Sequence, residues 1–489
     1  MKIQPPRLSV SYADPDPRAS YRITLLPRKN IMDIYGLPTR FGEVLWLPGR
    51  TENSDPPDGG FEIVQSSGEI DSLSPEDYRT AGGILARWLA DHPLEEITIH
   101  PEHSPSFARG ADLGAYLEGL WLGSYTFQEF KQEQTSTNTV LNLPKDLNGD
   151  LPHSVDHALA VAESVNYARS LAQQPPNVIN PSTLADEAED LADSFGLSFT
   201  RIRYQELDEM GAGAILSVGQ GSKTPSELLV LEHRGREGKD GRPPIIVVGK
   251  AITFDTGGYT IKKLFGMASM KYDKCGGAAI LGVMRAAASL DMERRVIGIV
   301  AAAENMISSQ AYRPNDIVRS LSGQTIEIIS TDAEGRLVLA DALTYACRKY
   351  EPAAMVDLAT LTGGVVTALG SVRAGLMSND SSLAAALFES GERTHERLWQ
   401  LPLDEDYFEL IRGRDSDLRN SSHLPEGMTS PASTIVGGMF LKQFIEGDQP
   451  WAHIDIAATA TSSGERPYSP RGPTGFGVRL LIDFIESFP

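Results

Sequence analysis

The sequence predicts an α/β protein: a larger C-terminal domain with a mostly parallel central sheet covered by helices, and a smaller N-terminal α/β domain. Three observations predict it. Continuous apolar runs at 228–231, 245–248, 296–302, 326–329 and 355–358 read as strands buried on both faces. Helical segments at 275–288, 337–349 and later 431–444 separate several of them, and such alternation builds a parallel, doubly covered sheet. At 489 residues the chain exceeds what one small core holds, so two domains are expected.

In chain order, 21–26 and 44–47 read as short strands. Segment 74–89 reads as a helix, with Pro75-Glu76-Asp77 in its first turn and Ile84, Leu85, Trp88 and Leu89 as an apolar face. A strand at 96–100 and a helix at 111–122 follow. Segment 131–139 is rich in Gln, Thr, Ser and Asn and reads as an exposed connection. These elements make an N-terminal domain over 1–150 that carries no chemical motif. A helix at 153–172, apolar at Ala158, Val161, Val165, Ala168 and Leu171, is the core of a linker over 151–172. Gln174-Pro175-Pro176-Asn177 breaks it, and Pro181-Ser182-Thr183 opens the next helix, to about 195, inside a second domain over 173–489. Segments 379–382 and 421–430 read as surface loops, the second long enough to border a site.

Composition narrows the function. Hydrophobic residues at 41% and charged residues at 22% suit a globular protein. No run approaches 18 apolar residues, and the start, Met1-Lys2-Ile3-Gln4-Pro5-Pro6, lacks an apolar signal core. Two cysteines, Cys275 and Cys347, cannot make a disulfide framework, so a reducing, cytoplasmic setting is expected. The net charge of −21 argues against a general nucleic-acid-binding or anionic-membrane surface.

The chemistry concentrates in two places. Ser330-Thr331-Asp332-Ala333-Glu334-Gly335-Arg336-Leu337 packs two carboxylates and a guanidinium between an apolar run and a helical one. Upstream lie Lys250, Asp255, Lys262 and Asp273, with Gly257-Gly258 in the turn after Asp255. Lys250 is expected to end the strand at 245–248, and Asp332 and Glu334 to follow the strand at 326–329. Thr360, Leu361, Thr362 and Gly363 follow the strand at 355–358. In a parallel sheet all three sets project from the carboxyl edge, where ligands bind. Four carboxylates in one crevice cannot all ionise without compensation, and dications supply it. A water between two metals becomes a nucleophile near neutral pH, and spare cations can face the anion formed when a carbonyl is attacked.

The run Thr331 to Leu337 resembles the signature of the leucyl (cytosol) aminopeptidase family, Asn-Thr-Asp-Ala-Glu-Gly-Arg-Leu, with Ser330 in place of Asn. The resemblance continues through 248–262, Met267, Met270-Lys271-Tyr272-Asp273, Glu304-Asn305-Met306, Ala359-Thr360-Leu361-Thr362-Gly363 and Trp451-Ala452-His453-Ile454-Asp455-Ile456-Ala457. It covers the chain from about Ala168 onward. It implies a two-metal exopeptidase with a metallopeptidase domain, a macro-like N-terminal fold and a homohexamer. Lys250, Asp255, Asp273 and Glu334 would ligate one divalent ion, zinc or manganese. Asp255, Asp332 and Glu334 would ligate the other. Arg336 would hold a bicarbonate acting as base, and Lys262 would stabilise the oxyanion. Met270, Thr360, Leu361, Gly363, Ala457 and Ala460 would line the pocket for the first side chain. The implied reaction is attack of a metal-bridging hydroxide on the scissile carbonyl of a peptide with a free N-terminus, leucine-like residues preferred. The chain departs from the pattern at Gln173, Ala268, Lys274 and Ser330, beside ligand positions rather than at them. Two further readings stand: a narrow dipeptidase such as a Cys-Gly dipeptidase, or a DNA-binding or catalytically quiet assembly subunit.

Other features have plainer readings. Thr331 and Glu334 also fit a helix capping box. Cys275 reads as a buried helix residue, and His453 as structural. Gly219-Gln220-Gly221-Ser222-Lys223-Thr224 lacks the Gly-Lys-Ser/Thr order of a phosphate loop and reads as a plain turn.

Overall fold

The computed structural model describes residues 8–12, 21–26, 39–48, 61–66, 73–99, 107, 110–132, 139–143, 151–236, 241–422 and 431–489. They form two compact units. One holds residues 2–166 and 463–471, the other 167–462 and 472–489. The division falls inside the helix Leu151–Gln173, and the short segment Ser463–Arg471 groups with the smaller unit.

The smaller unit has a six-stranded sheet built from β1 (Leu8–Tyr12), β2 (Tyr21–Leu26), β3 (Val44–Pro48), β4 (Phe61–Ser66), β5 (Glu96–Ile99) and β6 (Thr139–Leu143), in the order β1-β6-β5-β2-β4-β3. Only the β3–β4 pair is antiparallel. The helix expected at 74–89 runs Pro75–Asp91, and Ser74 caps it in a box with Asp77. The helix expected at 111–122 runs Gly110–Gly123. Residue 100 of the strand expected at 96–100, and most of the connection expected at 131–139, lie outside the described residues.

The larger unit is organised by an eight-stranded sheet. Its strands are β7 (Ser198–Ile202), β8 (Glu227–His233), β9 (Ile245–Asp255), β10 (Val296–Asn305), β13 (Ala354–Ala359), β14 (Ala374–Ser378), β15 (Leu398–Gln400) and β17 (Trp451–Asp455), ordered β15-β14-β17-β13-β9-β10-β8-β7. The four central strands, β17, β13, β9 and β10, run parallel. Their apolar residues are buried on both faces, and the helices Cys275–Ser289 and Gly335–Lys349 pack against them. The helix Pro181–Phe195 starts where Pro181 predicts, with Asn180 as its cap.

Two expected strands differ. β9 does not stop at 248; it continues to Asp255. Lys250 therefore sits in mid-strand, and Asp255 is the last strand residue rather than part of the turn. The polar Lys250 and Thr253 break the apolar run in sequence, but both are buried and bonded inside the protein. The run at 326–329 does not join the main sheet. Thr325–Glu327 is β12 of a separate three-stranded sheet with β11 (Ile317–Arg319) and β16 (Leu418–Arg419). Only Ile326 and Ile328 of that run are buried, too few for a strand covered on both faces. The loop expected at 379–382 is shorter, because Asp380 caps a helix from Ser381 to Thr394. Residues 423–430 of the second expected loop lie outside the described residues, and the helix expected at 431–444 runs Ser433–Lys442. Among the described residues no helix is long and apolar enough to cross a membrane.

Strand β9 and the helix Cys275–Ser289 touch through glycine. A Cβ on Gly249 would lie 2.7 Å from the Gly277 Cα and 2.8 Å from the Gly276 carbonyl. Gly249→Ala is therefore expected to destabilise the chain by about 1–3 kcal/mol through overpacking. Denaturant unfolding measures this, and a wild-type midpoint would refute the close-approach argument.

Candidate metal centre

The carboxyl ends of the parallel strands collect the site. β9 ends at Asp255, β10 at Asn305 and β17 at Asp455, while Thr360 follows β13. Asn305 pairs with Asp255 in the strand register. Two glycines make the turn after β9. Gly257 and Gly258 have φ of 84° and 61°, and a Cβ on Gly257 would lie 3.0 Å from Asp332 Oδ1. A side chain there would be strained and would crowd a carboxylate.

Asp332 and Glu334 arrive from outside the main sheet, so side-chain hydrogen bonds hold their turn in place. The Thr331 hydroxyl donates to the Gly257 carbonyl at 2.6 Å and accepts from the Thr260 N–H at 2.8 Å. The Thr331 carbonyl accepts from the Asn305 amide at 2.9 Å and from the Tyr312 hydroxyl at 2.8 Å. The capping box does not form. Glu334 itself occupies the position before the helix Gly335–Lys349, with no side-chain cap bond, and its carboxylate turns to Lys250.

Six of the expected residues converge. Lys250 Nζ lies 2.8 Å from Asp273 Oδ1 and 2.9 Å from Glu334 Oε1, and donates to the Thr360 carbonyl at 2.9 Å. Lys262 Nζ lies 2.9 Å from Asp255 Oδ2 and also pairs with Asp332. Asp255 Oδ1 accepts from the Gly257 N–H and the Asn305 amide, both at 2.8 Å. The Thr360 hydroxyl donates to Asp273 Oδ1 at 2.7 Å. A Cβ on Gly335 would lie 2.6 Å from Lys250 Nζ, so only glycine leaves room for that ammonium.

Arg336 is buried beside the cluster. It donates from one terminal nitrogen to the Asn420 carbonyl at 2.7 Å, and its Nε has no partner. Of the pocket residues, Thr360 touches the cluster directly. Leu361 and Ala457 each donate a backbone N–H to Asp455 Oδ1. Met270 heads the short turn that ends at Asp273. Gly363 is exposed at the start of a helix, and Ala460 is buried.

The electrostatics follow from crowding. Burial pushes the Asp273 carboxyl up to about 8, against the pull of Lys250. Burial, with Glu334 and Asp255 adding to it, pushes Asp332 up to about 6. Asp255 is raised by burial and by Glu334. Burial works against the charged form of Glu334, but Lys250 and Lys262 outweigh it and hold that carboxyl below its ordinary value. Burial likewise opposes the charge on Lys250, and Asp273, Glu334 and Asp255 outweigh it, leaving the ammonium above its ordinary value. Burial lowers Arg336 to about 10. The cluster thus keeps a proton on one carboxyl because four negative charges cannot share this volume.

The donor set fits divalent metal. Asp255, Asp273 and Glu334 each offer a buried oxygen within 4.8 Å of the others. Asp273 Oδ2 and Glu334 Oε2 are buried with no hydrogen-bond partner. Orphaned carboxylate oxygens inside a protein are costly unless a cation completes them. Carboxylates with one amine suit hard or borderline dications.

Residues 166–482 match the catalytic domain of the cytosol aminopeptidase family. The chain belongs to that family. A probable cytosol aminopeptidase of Cenarchaeum symbiosum is 40% identical over 430 residues, 87% of this chain and 85% of the relative. One from Geotalea uraniireducens is 43% identical over 434 residues, again 87% and 85% of the two chains. Among solved structures, the bottromycin maturation enzyme BotP in complex with Mn superposes with a TM-score of 0.84 at 30% identity, covering 95% of this chain and 99% of that one. This cytosol aminopeptidase family member is accordingly a metal-dependent aminopeptidase, a hydrolase. The comparisons do not favour a narrow dipeptidase or a DNA-binding or quiet subunit.

Three site residues had no role assigned from sequence: Asn305, Thr331 and Asp455. The signal for Asn305 was present, since it ends an apolar run parallel to the one that leads to Asp255. Cys275 is buried in its helix, with its thiol pushed up to about 12 by burial. Buried His453 pairs with Asp357.

A dication held by Lys250 and Asp273 would displace the Lys250 proton and the proton kept by Asp273. Because Asp273 is raised, it holds its proton at neutral pH and yields it as pH rises through about 8. Metal binding is therefore expected to release protons, with affinity for Mn²⁺ climbing between about pH 6 and about pH 8. Calorimetry in two buffers of different ionisation enthalpy measures this. Affinity independent of pH with no proton release would contradict the charge assignment.

Proposed function

We propose that this aminopeptidase removes leucine-like N-terminal residues from peptides using two divalent ions per subunit. The observation that carries the reading is the convergence of Lys250, Asp255, Lys262, Asp273, Asp332 and Glu334 around buried, unpartnered carboxylate oxygens. Lys250, Asp255, Asp273 and Glu334 would hold one ion, and Asp255, Asp332 and Glu334 the other. When bound, such ions supply an activated water near neutral pH and polarise a carbonyl.

The chain's own residues do the rest. Lys262 reaches between Asp255 and Asp332, and so carries a positive charge to the place where the oxyanion develops. Arg336, with a free Nε two residues from Glu334, would hold a bicarbonate that serves as base. Thr360 steadies Asp273 and Lys250 together. Met270, Thr360, Leu361, Gly363, Ala457 and Ala460 would receive the first side chain.

Zinc and manganese both suit these ligands, and the manganese bound by BotP favours the second. The catalytic domain spans 173–489, the helix 151–172 links it to the N-terminal domain over 1–150, and that domain is macro-like. The enzyme works in the cytoplasm as a homohexamer, which light scattering on the purified protein would test.

Glu334→Ala and Asp255→Ala are expected to abolish hydrolysis of leucine p-nitroanilide and to lower bound metal. Lys262→Ala should cut kcat about 10²–10³-fold, the cost of losing one oxyanion partner, while metal content stays intact. Metal loss in Lys262→Ala would instead make it a structural residue. The N-acetylated substrate should resist cleavage, and its turnover would rule out an exopeptidase.

A further inference from the structure

One buried carboxylate joins the two segments assigned above to the first-side-chain pocket. Asp455 ends β17 and is fully buried. Its Oδ1 accepts the N–H groups of Leu361 at 3.1 Å, Thr362 at 3.4 Å and Ala457 at 3.2 Å. Its Oδ2 accepts the Thr362 hydroxyl at 2.6 Å. Thr362 in turn caps the helix Gly363–Leu369 and lies 3.0 Å from the Thr434 hydroxyl. The strand register sets Asp455 opposite Ala359, level with the start of the 360–363 loop. Both pocket loops therefore hang on one carboxyl group.

A row of buried, hydrogen-bonded polar groups stands beside that carboxyl. His453 stands on the same face two residues earlier. Its Nδ1 lies 2.6 Å from Asp357 Oδ1, and Asp357 Oδ2 accepts the Trp451 indole N–H at 2.8 Å. Burial works against the charged imidazole, but Asp357 and Asp455 outweigh it and hold His453 above its ordinary value. Arg336 carries the next positive charge near Asp455. Burial raises the Asp455 carboxyl above its ordinary value, against the pull of His453, the Thr362 hydroxyl and the Ala457 and Leu361 N–H groups, so its donors are what hold it in place.

We propose that Asp455 is the positioning residue of the first-side-chain pocket, fixing residues 361–363 and Ala457 in one geometry without touching substrate. This rests on the pocket reading given above. Removing the carboxylate orphans the N–H groups of Leu361, Thr362 and Ala457, so residues 361–363 and Ala457 must shift to find other partners, while Thr360 stays tied to Lys250 and Asp273.

The test compares leucine and glycine p-nitroanilides on the full-length, metal-loaded enzyme. Asp455→Ala is expected to raise KM for the leucine substrate about tenfold or more. In the same variant kcat should stay within about threefold, and KM for glycine, which has no side chain to place, within about twofold. Metal content should be unchanged. Asp455→Asn keeps one acceptor oxygen, so it should show the same selective effect at smaller size, and it decides alone if the alanine variant does not fold. Equal effects on both substrates, lost metal, or unchanged selectivity would overturn the proposal. Met270→Ala separates the two layers. If it leaves the leucine-to-glycine preference unchanged, the pocket reading falls and this inference with it. If Met270→Ala shifts the preference and Asp455→Ala does not, only the role of Asp455 falls.

Discussion

The paired ion contacts of Lys250 with Asp273 and Glu334 are the interaction around which the catalytic unit is built. They join three segments far apart in sequence: the middle of β9, the turn before the helix Cys275–Ser289, and the turn before the helix Gly335–Lys349. All three side chains are nearly fully buried. Breaking such a pair from one side leaves an uncompensated charge in the interior, a cost of about 3–5 kcal/mol. The surroundings are shaped accordingly. Gly335 makes way for the ammonium, Gly276 and Gly249 let helix and strand approach, and the Thr360 carbonyl takes a third Lys250 proton. A site so constrained presents its remaining carboxylate oxygens in fixed positions, which is what a metal centre requires.

The parallel sheet explains why the pieces meet. Four neighbouring strands pointing the same way deliver their carboxyl ends to one edge, so Asp255, Asn305, Thr360 and Asp455 become neighbours although two hundred residues separate the first from the last. The turn with Asp332 and Glu334 is the exception. It enters from a small separate sheet and is secured by Thr331, Asn305 and Tyr312 instead of by a strand ladder. Those polar contacts replace the register that a main-sheet strand would impose.

This difference marks what could be read in the sequence. Charged residues at the ends of apolar strands were legible, because Lys250 and Asp255 follow the run at 245–248 and Asp273 lies close by in sequence. Which sheet a short apolar run joins was not, because Ile326 and Ile328 carry the same pattern at the end of a main strand or in a three-stranded satellite. The length of β9 was hidden for a related reason. Lys250 and Thr253 look like strand ends until their buried partners are known. Thr331 and Glu334 fit a capping box equally well by spacing. Only the ammonium of Lys250, about eighty residues upstream, draws Glu334 away from that local role.

The departures from the family pattern show the same dependence on distant partners. Lys274 is 1% exposed, and its Nζ donates to the carbonyls of Gln174 at 3.0 Å and Lys271 at 2.5 Å. Lys271 donates to the Gln173 carbonyl at 2.9 Å, and the Tyr272 hydroxyl to Gln173 Oε1 at 3.2 Å. Gln173 and Lys274 thus belong to one strap, which ties the turn carrying Met270 and Asp273 to the end of the helix Leu151–Gln173. The last carbonyls of a helix lack partners within it and favour cations. Lys274, lowered by burial to about 7, is tolerable because the Gln174 and Lys271 carbonyls receive it. Ser330 offers its oxygen to the Asp332 N–H at 3.2 Å, a contact an asparagine could also make. Nothing in the structure accounts for Ala268, which is exposed beside a short helix. Gln173 and Lys274 therefore brace the turn bearing Asp273, Ser330 keeps a contact the family residue could also make, and none of the three changes the chemical groups those turns present.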